Sequence, residues 1–172
     1  MKKCPRWTRA KLLAARNAHS FSELGVITLS ILSGFPKRVH GKLIQVCGPI
    51  TTGGYNTRKL NFLVFTDAVR LLRERGDYVF DQTPLEEGVV RLWEEWKADP
   101  KNRGYCWPIL EEIYRPLLES GLIGTLYFLP GWECSTGTCW ERAQGLALGL
   151  NIESYPEHLY QQILDIHGFD RP

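Results

Sequence analysis

The segment Leu129-Pro-Gly-Trp-Glu-Cys-Ser-Thr-Gly-Thr-Cys-Trp-Glu-Arg-Ala-Gln-Gly-Leu-Ala-Leu-Gly149 connects an apolar run to a helical pattern through a polar loop. The run from Leu122 to Leu129 has the length and composition of a buried strand. The Ala- and Leu-rich pattern after the loop predicts a helix over Thr138–Leu148. A strand, a polar loop and a helix N-terminus in this order predict the ligand-facing edge of a parallel α/β sheet.

Two interpretations of the loop remain open. Free backbone N–H groups and the helix dipole favour an anion at this helix N-terminus, with Glu141 in the first turn facing the loop. Alternatively, Ser135 or Thr138 only caps the helix, and Glu141 supports the cap.

Composition is typical of one globular domain: 172 residues, of which 44% are hydrophobic and 23% charged. No apolar run approaches the ~20 residues of a membrane helix, and the N-terminus lacks a signal-peptide core. We therefore expect a cytoplasmic protein without a membrane partner.

The cysteines and histidines indicate neither a disulfide framework nor a metal site. The five cysteines are an odd number without a CxxC pair, and the four histidines form no ligand spacing with them. We expect no metal and no cofactor. The residues are Cys4, Cys47, Cys106, Cys134, Cys139, His19, His40, His158 and His167.

Charge is distributed unevenly along the chain. Residues 1–42 carry nine Lys or Arg against one acid, whereas the remainder carries 12 basic and 18 acidic residues. This difference predicts a basic, helical N-terminal extension over 1–41 and an α/β domain over 42–172. The extension loosely resembles small helix-turn-helix modules that contact DNA phosphates, but we favour packing on the acidic body or on a neighbouring subunit.

A second strand–loop–helix unit precedes the quoted segment. The strand is Lys42–Gly48, the loop is Pro49–Asn56, the helix runs from about Thr57 to Arg75, and Tyr78–Phe80 predicts another strand. The loop has neither the GxGxxG nor the GK[ST] pattern of known phosphate loops. Its threonines and backbone amides can still donate to an anion.

The chain between the two units is rich in tryptophan and acids. A helix is predicted over Pro108–Glu119, with its end interrupted by Pro116. Aromatic residues such as Trp93 and Tyr105 favour a core or an interface; if they border the pocket, one can stack on a nucleobase. A short strand over Asn151–Glu153 and a helix over Pro156–His167 close the chain.

Two motifs together carry a family resemblance that spans roughly Lys42 to Glu153. The first is Cys47-Gly-Pro-Ile-Thr-Thr-Gly-Gly-Tyr-Asn-Thr-Arg-Lys-Leu60, and the second is Leu129-Pro-Gly-Trp132 followed by Ser135-x-Gly-x-x-x-Glu141. They resemble the nucleoside 2-deoxyribosyltransferase superfamily, nearest its 2'-deoxynucleoside 5'-phosphate N-hydrolases. The resemblance implies a flavodoxin-like, three-layer sandwich with about five mostly parallel strands. It also implies a homodimer.

The resemblance further implies cleavage of an N-glycosidic bond. Glu141 matches the family nucleophile, which attacks the sugar C1' and forms an ester that water or a second base resolves. Ser135 matches a serine of the nucleotide hydrolases, where nucleoside transferases carry an aspartate that would repel phosphate. The implied substrate- or phosphate-binding residues are Cys47, Gly48, Ile50, Thr51, Thr52, Gly53, Gly54, Ser135, Gly137 and Thr138. Tyr55 and Trp132 are the base-stacking candidates.

The chain departs from the family at acidic positions. Gly124 stands where an aspartate usually enters the strand, and Arg115-Pro116 where a second acid is common. Asp81, Glu112 or Glu119 would have to take over, and Asp81 and Glu119 join Glu141 as our predicted catalytic residues. Thr136 replaces a frequent arginine, which weakens that phosphate contact.

The sequence therefore predicts an N-glycosidase acting on a (deoxy)nucleoside 5'-monophosphate. Alternatives are a nucleoside deoxyribosyltransferase, a catalytically weak nucleotide-binding or sequestering protein, and a nucleic-acid-associated protein that binds through its basic N-terminus.

Overall fold

A parallel β-sheet organises the computed structural model, which describes residues 7–51 and 53–172. Its strands are β1 (Leu43–Cys47), β2 (Ile123–Phe128) and β3 (Asn151–Ser154), in the order β1-β2-β3. Both pairings are parallel. The predicted α/β class and parallel sheet are confirmed.

The predicted number of about five strands is wrong, because the described sheet has three. The segment Tyr78–Phe80 runs beside β1 but forms only one parallel bridge, between Val79 and Ile44. Ile44 N donates to Tyr78 O at 2.8 Å, and Phe80 N donates to Ile44 O at 2.9 Å. The chain then leaves the sheet for a short turn at Thr83–Leu85, so pairing stops after one residue.

Seven α-helices complete the described fold, and local caps account for several of their starts. Thr57 accepts a hydrogen bond from Leu60 N at the start of α3, and Gly76 ends that helix at φ 97°. Ser135 caps α6, which therefore begins two residues before its predicted start. The helices are α1 (Arg9–Asn17), α2 (Phe21–Leu32), α3 (Arg58–Arg75), α4 (Glu86–Ala98), α5 (Arg115–Glu119), α6 (Thr136–Ala147) and α7 (Glu157–His167).

The helix predicted over Pro108–Glu119 forms in two parts. A π-helical turn, Ile109–Tyr114, precedes α5, and Arg115 N donates to Leu110 O five residues back. Pro116 has no N–H to donate, and the wide turn before it accommodates that missing bond. Proline thus lies in the first turn of α5 rather than interrupting its end.

Helices cover both faces of the sheet. Ile44 and Val46 of β1 pack with α3 and α7 on one face, whereas Leu43 and Cys47 point to the other face. The second face is covered by the N-terminal helices, α4, α5 and α6. This alternation follows from the two-residue period of a strand and explains why nearly all of β1 is apolar.

The described part of the N-terminal segment belongs to this second core. Ala15, Leu24 and Leu32 are fully buried in the same cluster as Leu126 of β2. Arg16 pairs with Glu87 of α4 at 2.7 Å, and Trp7 Nε1 donates to Asp81 O at 2.8 Å. Residues 7–41 therefore pack on the acidic body. Residues 1–6, including Cys4, lie outside the described part, and DNA contact by the segment stays a prediction.

Gly124 lies at an irregularity of the β1–β2 pairing. Leu43 pairs with Ile123 and Ile44 with Thr125, so Gly124 is skipped. A Cβ at this position would lie 1.8 Å from Gly41 O. The aspartate that the family pattern expects has no room here, because the turn before β1 occupies the space.

No helix among the described residues is long and apolar enough to cross a membrane.

Candidate functional site

A cavity of about 410 Å³ opens beyond the carboxyl ends of β1 and β2. Loops that follow parallel strands converge at this edge, so residues far apart in sequence meet here. The described residues that line it are Gly48, Ile50, Thr51, Arg58, Phe65, Gln82, Glu86, Val89, Val90, Trp93, Gly104, Tyr105, Cys106, Ile109, Leu110, Tyr114, Ser135, Gly137, Thr138 and Glu141.

Glu141 is the buried carboxyl group of this cavity. Its side chain projects from α6, and only 7% of the residue is exposed. Gln45 Nε2 of β1 donates to Glu141 Oε1 at 2.8 Å. Burial raises the pKa of Glu141 to about 8, although hydrogen bonds from Cys47 and Gln45 favour the carboxylate. The group therefore carries a proton at neutral pH in the free protein.

Two buried glutamines were not predicted from the sequence: Gln45, which contacts Glu141, and Gln82, which lines the cavity. Gln82 Nε2 donates to Val46 O at 3.1 Å, which fixes the direction of its amide. Neither Gln45 Oε1 nor Gln82 Oε1 has a hydrogen-bond donor among the described residues. A buried acceptor without a donor is costly, so an N–H or O–H group of a ligand would stabilise the site. The signal for Gln45 was a polar residue inside an otherwise apolar strand.

The glycine-rich loop reaches the cavity only in part. Gly48, Ile50 and Thr51 line the cavity. Gly53 and Gly54 pack against Cys134 and Asn61 instead. Thr52 lies outside the described residues, so its predicted role is not placed.

Asn61 of α3 holds this loop in shape. Its Oδ1 accepts from Tyr55 N at 2.8 Å, and its Nδ2 donates to Ile50 O at 3.2 Å and to Gly53 O at 3.0 Å. These three bonds replace the sheet or helix pairing that the loop backbone lacks. Asn61 thus fixes the loop without lining the cavity.

The start of α6 serves as a cap and as a cavity wall. Ser135 Oγ accepts from Thr138 N at 3.4 Å, and Ser135, Gly137 and Thr138 all line the cavity. Gly137 leaves room for Tyr105, because a Cβ there would lie 2.5 Å from the Tyr105 hydroxyl oxygen. Ser135 therefore caps the helix and also lines the cavity, so the cap and the anion-site interpretations of this loop do not exclude each other.

Aromatic side chains form much of the remaining wall. Trp93 of α4, Tyr105 and Tyr114 line the cavity. Aromatic rings that border a pocket in this way can stack on a base. Burial and the charge of Glu141 raise the pKa of the Tyr105 hydroxyl. Burial, with Glu141 and Glu86 next, raises the pKa of Tyr114 well above its ordinary value. Both phenols are therefore hydrogen-bond donors across the physiological pH range.

One ion pair contributes to the cavity wall. Arg58 Nε and Nη2 donate to Glu86 Oε1 at 2.9 and 2.6 Å. Both residues line the cavity. Arg58 opens α3 and Glu86 opens α4, so the pair connects the starts of two helices.

Several predicted residues lie away from the cavity. Asp81 pairs with Arg73 at 2.7 Å and accepts from Thr83, and Glu119 lies 3.8 Å from Arg115 on α5. Neither acid is among the described residues that line the cavity. Glu112 is the remaining acid that was considered as a replacement for the missing family acids, and it is exposed on the π-helical turn.

Three further candidates are not among the described residues that line the cavity. Cys47 is fully buried beside Glu141, where burial and that carboxylate raise the pKa of its thiol well above the ordinary value. Tyr55 packs on Phe169 at 5.1 Å between ring centroids. Trp132 packs edge-on against Phe128 at 5.4 Å, so neither ring lines the cavity among the described residues.

Among the described residues, no group of three or more His, Cys, Asp or Glu side chains is placed to hold a metal ion. Comparison of the chain with protein-family models, with curated proteins and with solved structures found no match.

Proposed function

We propose that this protein is an N-glycosidase that cleaves the base–sugar bond of a (deoxy)nucleoside 5'-monophosphate with Glu141 as nucleophile. The observation that carries the proposal is a carboxyl group buried in a cavity and held by Gln45 at 2.8 Å. A carboxyl group that lies in a cleft and has a pKa far from its ordinary value, as Glu141 does, is typical of a functional site. The parallel strand order, with the cavity beyond the carboxyl ends, supports a flavodoxin-like arrangement.

The chemistry follows from charge. Loss of the base leaves positive charge on C1', and this charge favours the ionised form of a carboxyl group beside it. Glu141 is then both the electrostatic partner of the oxocarbenium-like transition state and the group that captures it as an ester. Water completes hydrolysis, whereas a second base would complete transfer.

The cavity wall supports a nucleotide as the substrate. Ser135 and the free N–H groups at the start of α6 suit a phosphate. Trp93, Tyr105 and the aliphatic side chains of α4 suit the face of a base. Gln82 Oε1 would accept from an N–H group at the base edge.

The test is mass spectrometry of nucleotide and nucleoside mixtures incubated with the wild-type protein, Glu141→Ala and Glu133→Ala. We expect the wild type to release a free base and Glu141→Ala to release it at least about a hundredfold more slowly, since nucleophile and acid–base groups contribute on this scale. Glu133 is exposed on the same segment and outside the lining residues, so Glu133→Ala should keep the activity. No base from any compound in the panel would refute the proposal.

One observation favours a second candidate, a nucleotide-binding protein with little turnover. Asp81 and Glu119, the two additional acids expected from the sequence, are held in ion pairs outside the lining residues. Tight nucleotide binding without base release, little changed by Glu141→Gln, would select this candidate. A deoxyribosyltransferase would instead show exchange when a second free base is added.

The Ser135→Asp variant separates phosphate recognition from catalysis. Aspartate caps a helix as well as serine does, so α6 should keep its start. Its charge would repel a 5'-phosphate, and we expect kcat/KM to fall on the order of a hundredfold for the nucleotide while staying within about threefold for the matching nucleoside. The measurement is base release from both compounds. An equal loss on the two would contradict a phosphate contact at Ser135.

A further inference from the structure

Glu86 shares the cavity with Glu141, and these two are the carboxylates among its described lining residues. On α4, Glu86 lies on one face with Val89, Val90 and Trp93, at the i, i+3, i+4 and i+7 spacing. This face forms the wall that suits a base. The neighbouring Glu87 points elsewhere and pairs with Arg16 at 2.7 Å, with 60% of each side chain exposed.

The ion pair with Arg58 orients Glu86 and leaves one oxygen available. Both guanidinium bonds go to Oε1, at 2.9 and 2.6 Å. Oε2 accepts no hydrogen bond from the described residues, and the Glu86 side chain keeps 23% of its surface exposed. A carboxyl group fixed by one oxygen and free at the other is suited to exchange a proton with a ligand.

Tyr114 lines the cavity together with both carboxyl groups. Burial raises the pKa of the Tyr114 hydroxyl, and the charges of Glu141 and Glu86 raise it further. Tyr114 ends the π-helical turn and lines the same cavity. Such turns occur frequently at functional sites.

We infer that Glu86 is the second carboxyl group of the reaction, passing a proton to the nitrogen of the departing base and taking one back from the attacking water. This role rests on the proposed function. It assigns to Glu86 of α4 the role that the family resemblance left to Asp81, Glu112 or Glu119.

The step balances with the groups present. The reacting form of the pair carries one proton, on Glu86. That proton goes to the base nitrogen, the electron pair of the C1'–N bond leaves with the base, and the Glu141 carboxylate bonds to C1'. Water then attacks C1', its proton goes to Glu86, and the ester bond to Glu141 breaks. The products are the neutral base and the sugar phosphate.

The experiment compares Glu86→Gln with Glu87→Gln on two nucleotides of the same sugar. One carries guanine and the other carries 7-methylguanine, which leaves as a neutral base without receiving a proton. We expect Glu86→Gln to lower the single-turnover rate of base release by about a hundredfold on the guanine nucleotide and by less than about fivefold on the methylated one, because proton donation contributes ~10²–10⁴-fold. Glu87→Gln should stay within about twofold of the wild type on both.

The outcomes distinguish the two proposals. An active wild type with an equally active Glu86→Gln, or an equal loss on both nucleotides, overturns the role of Glu86 alone. A wild type that releases neither base, nor any base across the wider panel, overturns the N-glycosidase proposal and this role with it. Thermal melting of each variant shows whether the fold is retained.

Discussion

The Glu141→Gln variant is expected to be more stable than the wild type above pH 8, by about 3 to 5 kcal/mol, and nearly equal to it at pH 4. Burial raises the pKa of Glu141 from 4.5 to about 8. Each pKa unit by which the folded and unfolded states differ changes the free energy of unfolding by ~1.4 kcal/mol. Glutamine has the same shape and no charge to bury, and its amide can donate to the unpaired Gln45 Oε1.

The sign follows from proton counts. Below pH 4.5 the carboxyl group is protonated in both states and contributes no difference. Between 4.5 and about 8 the unfolded chain ionises first, so the folded state binds more protons and its stability falls as pH rises. Above about 8 both states are ionised and the full cost of the buried charge remains.

Urea denaturation at pH 4, 6 and 9 measures this difference between variant and wild type, which removes the contribution of every other titrating group. Glu133→Gln is the matched control, because its side chain is exposed. A constant difference between Glu141→Gln and the wild type across these pH values would show that Glu141 ionises normally in the folded protein.

The Gly124→Ala variant is expected to lose about 3 kcal/mol or more of stability. Its Cβ would lie 1.8 Å from Gly41 O and 2.5 Å from Gly41 C, and these are backbone atoms that cannot rotate away. Overpacking commonly costs ~1–3 kcal/mol and more where the backbone must shift. In a domain of this size that loss lowers Tm by roughly 6 to 12 °C.

Gly121→Ala is the control for Gly124→Ala. Gly121 has φ 69° and no atom near an added Cβ, so alanine there meets only the left-handed backbone cost of ~1–2 kcal/mol. Thermal melting of the two variants separates a steric clash from the simple loss of a glycine. Equal, small shifts would mean that the turn before β1 moves freely.

The two variants concern opposite aspects of the same fold. Gly124 allows the turn at Gly41 to approach the sheet, and this approach belongs to the close packing of the second face. Glu141 instead carries a desolvation cost that no folding requirement explains. A protein retains such a cost where the group has a function, which is the physical basis of our proposal.

Local patterns were sufficient for most of the elements. Apolar runs predicted β1 and β2, and the helical period with Thr57 and Gly76 at its ends predicted α3. The presence of Glu141 on α6 also followed from the strand–loop–helix order, but its predicted place in the first turn was wrong, because α6 begins two residues earlier and Glu141 lies in the second turn. The prediction of a strand at Tyr78–Phe80 was wrong, because β-propensity does not tell how many residues pair with a neighbouring strand, and only Val79 pairs with Ile44 here.

Pairings between distant residues were beyond these patterns. Gln45 and Glu141 are 96 positions apart, and their contact depends on how α6 packs against β1. No local sequence pattern distinguishes the four acids Asp81, Glu86, Glu112 and Glu119 as site residues. Only the direction of α4 and the partners Arg73 and Arg115 decide which acid lines the cavity and which is held outside it.

The sequence by itself determined the α/β class and the main strands and helices, because periodicity and capping act over a few residues. It also predicted Glu141 and Ser135 as site residues, and both line the cavity. The tertiary structure alone decided that the sheet has three described strands, that residues 7–41 share the core, and that Glu86 joins Glu141 in the cavity. These features depend on which surfaces exclude water together, and that is a property of the whole packed chain.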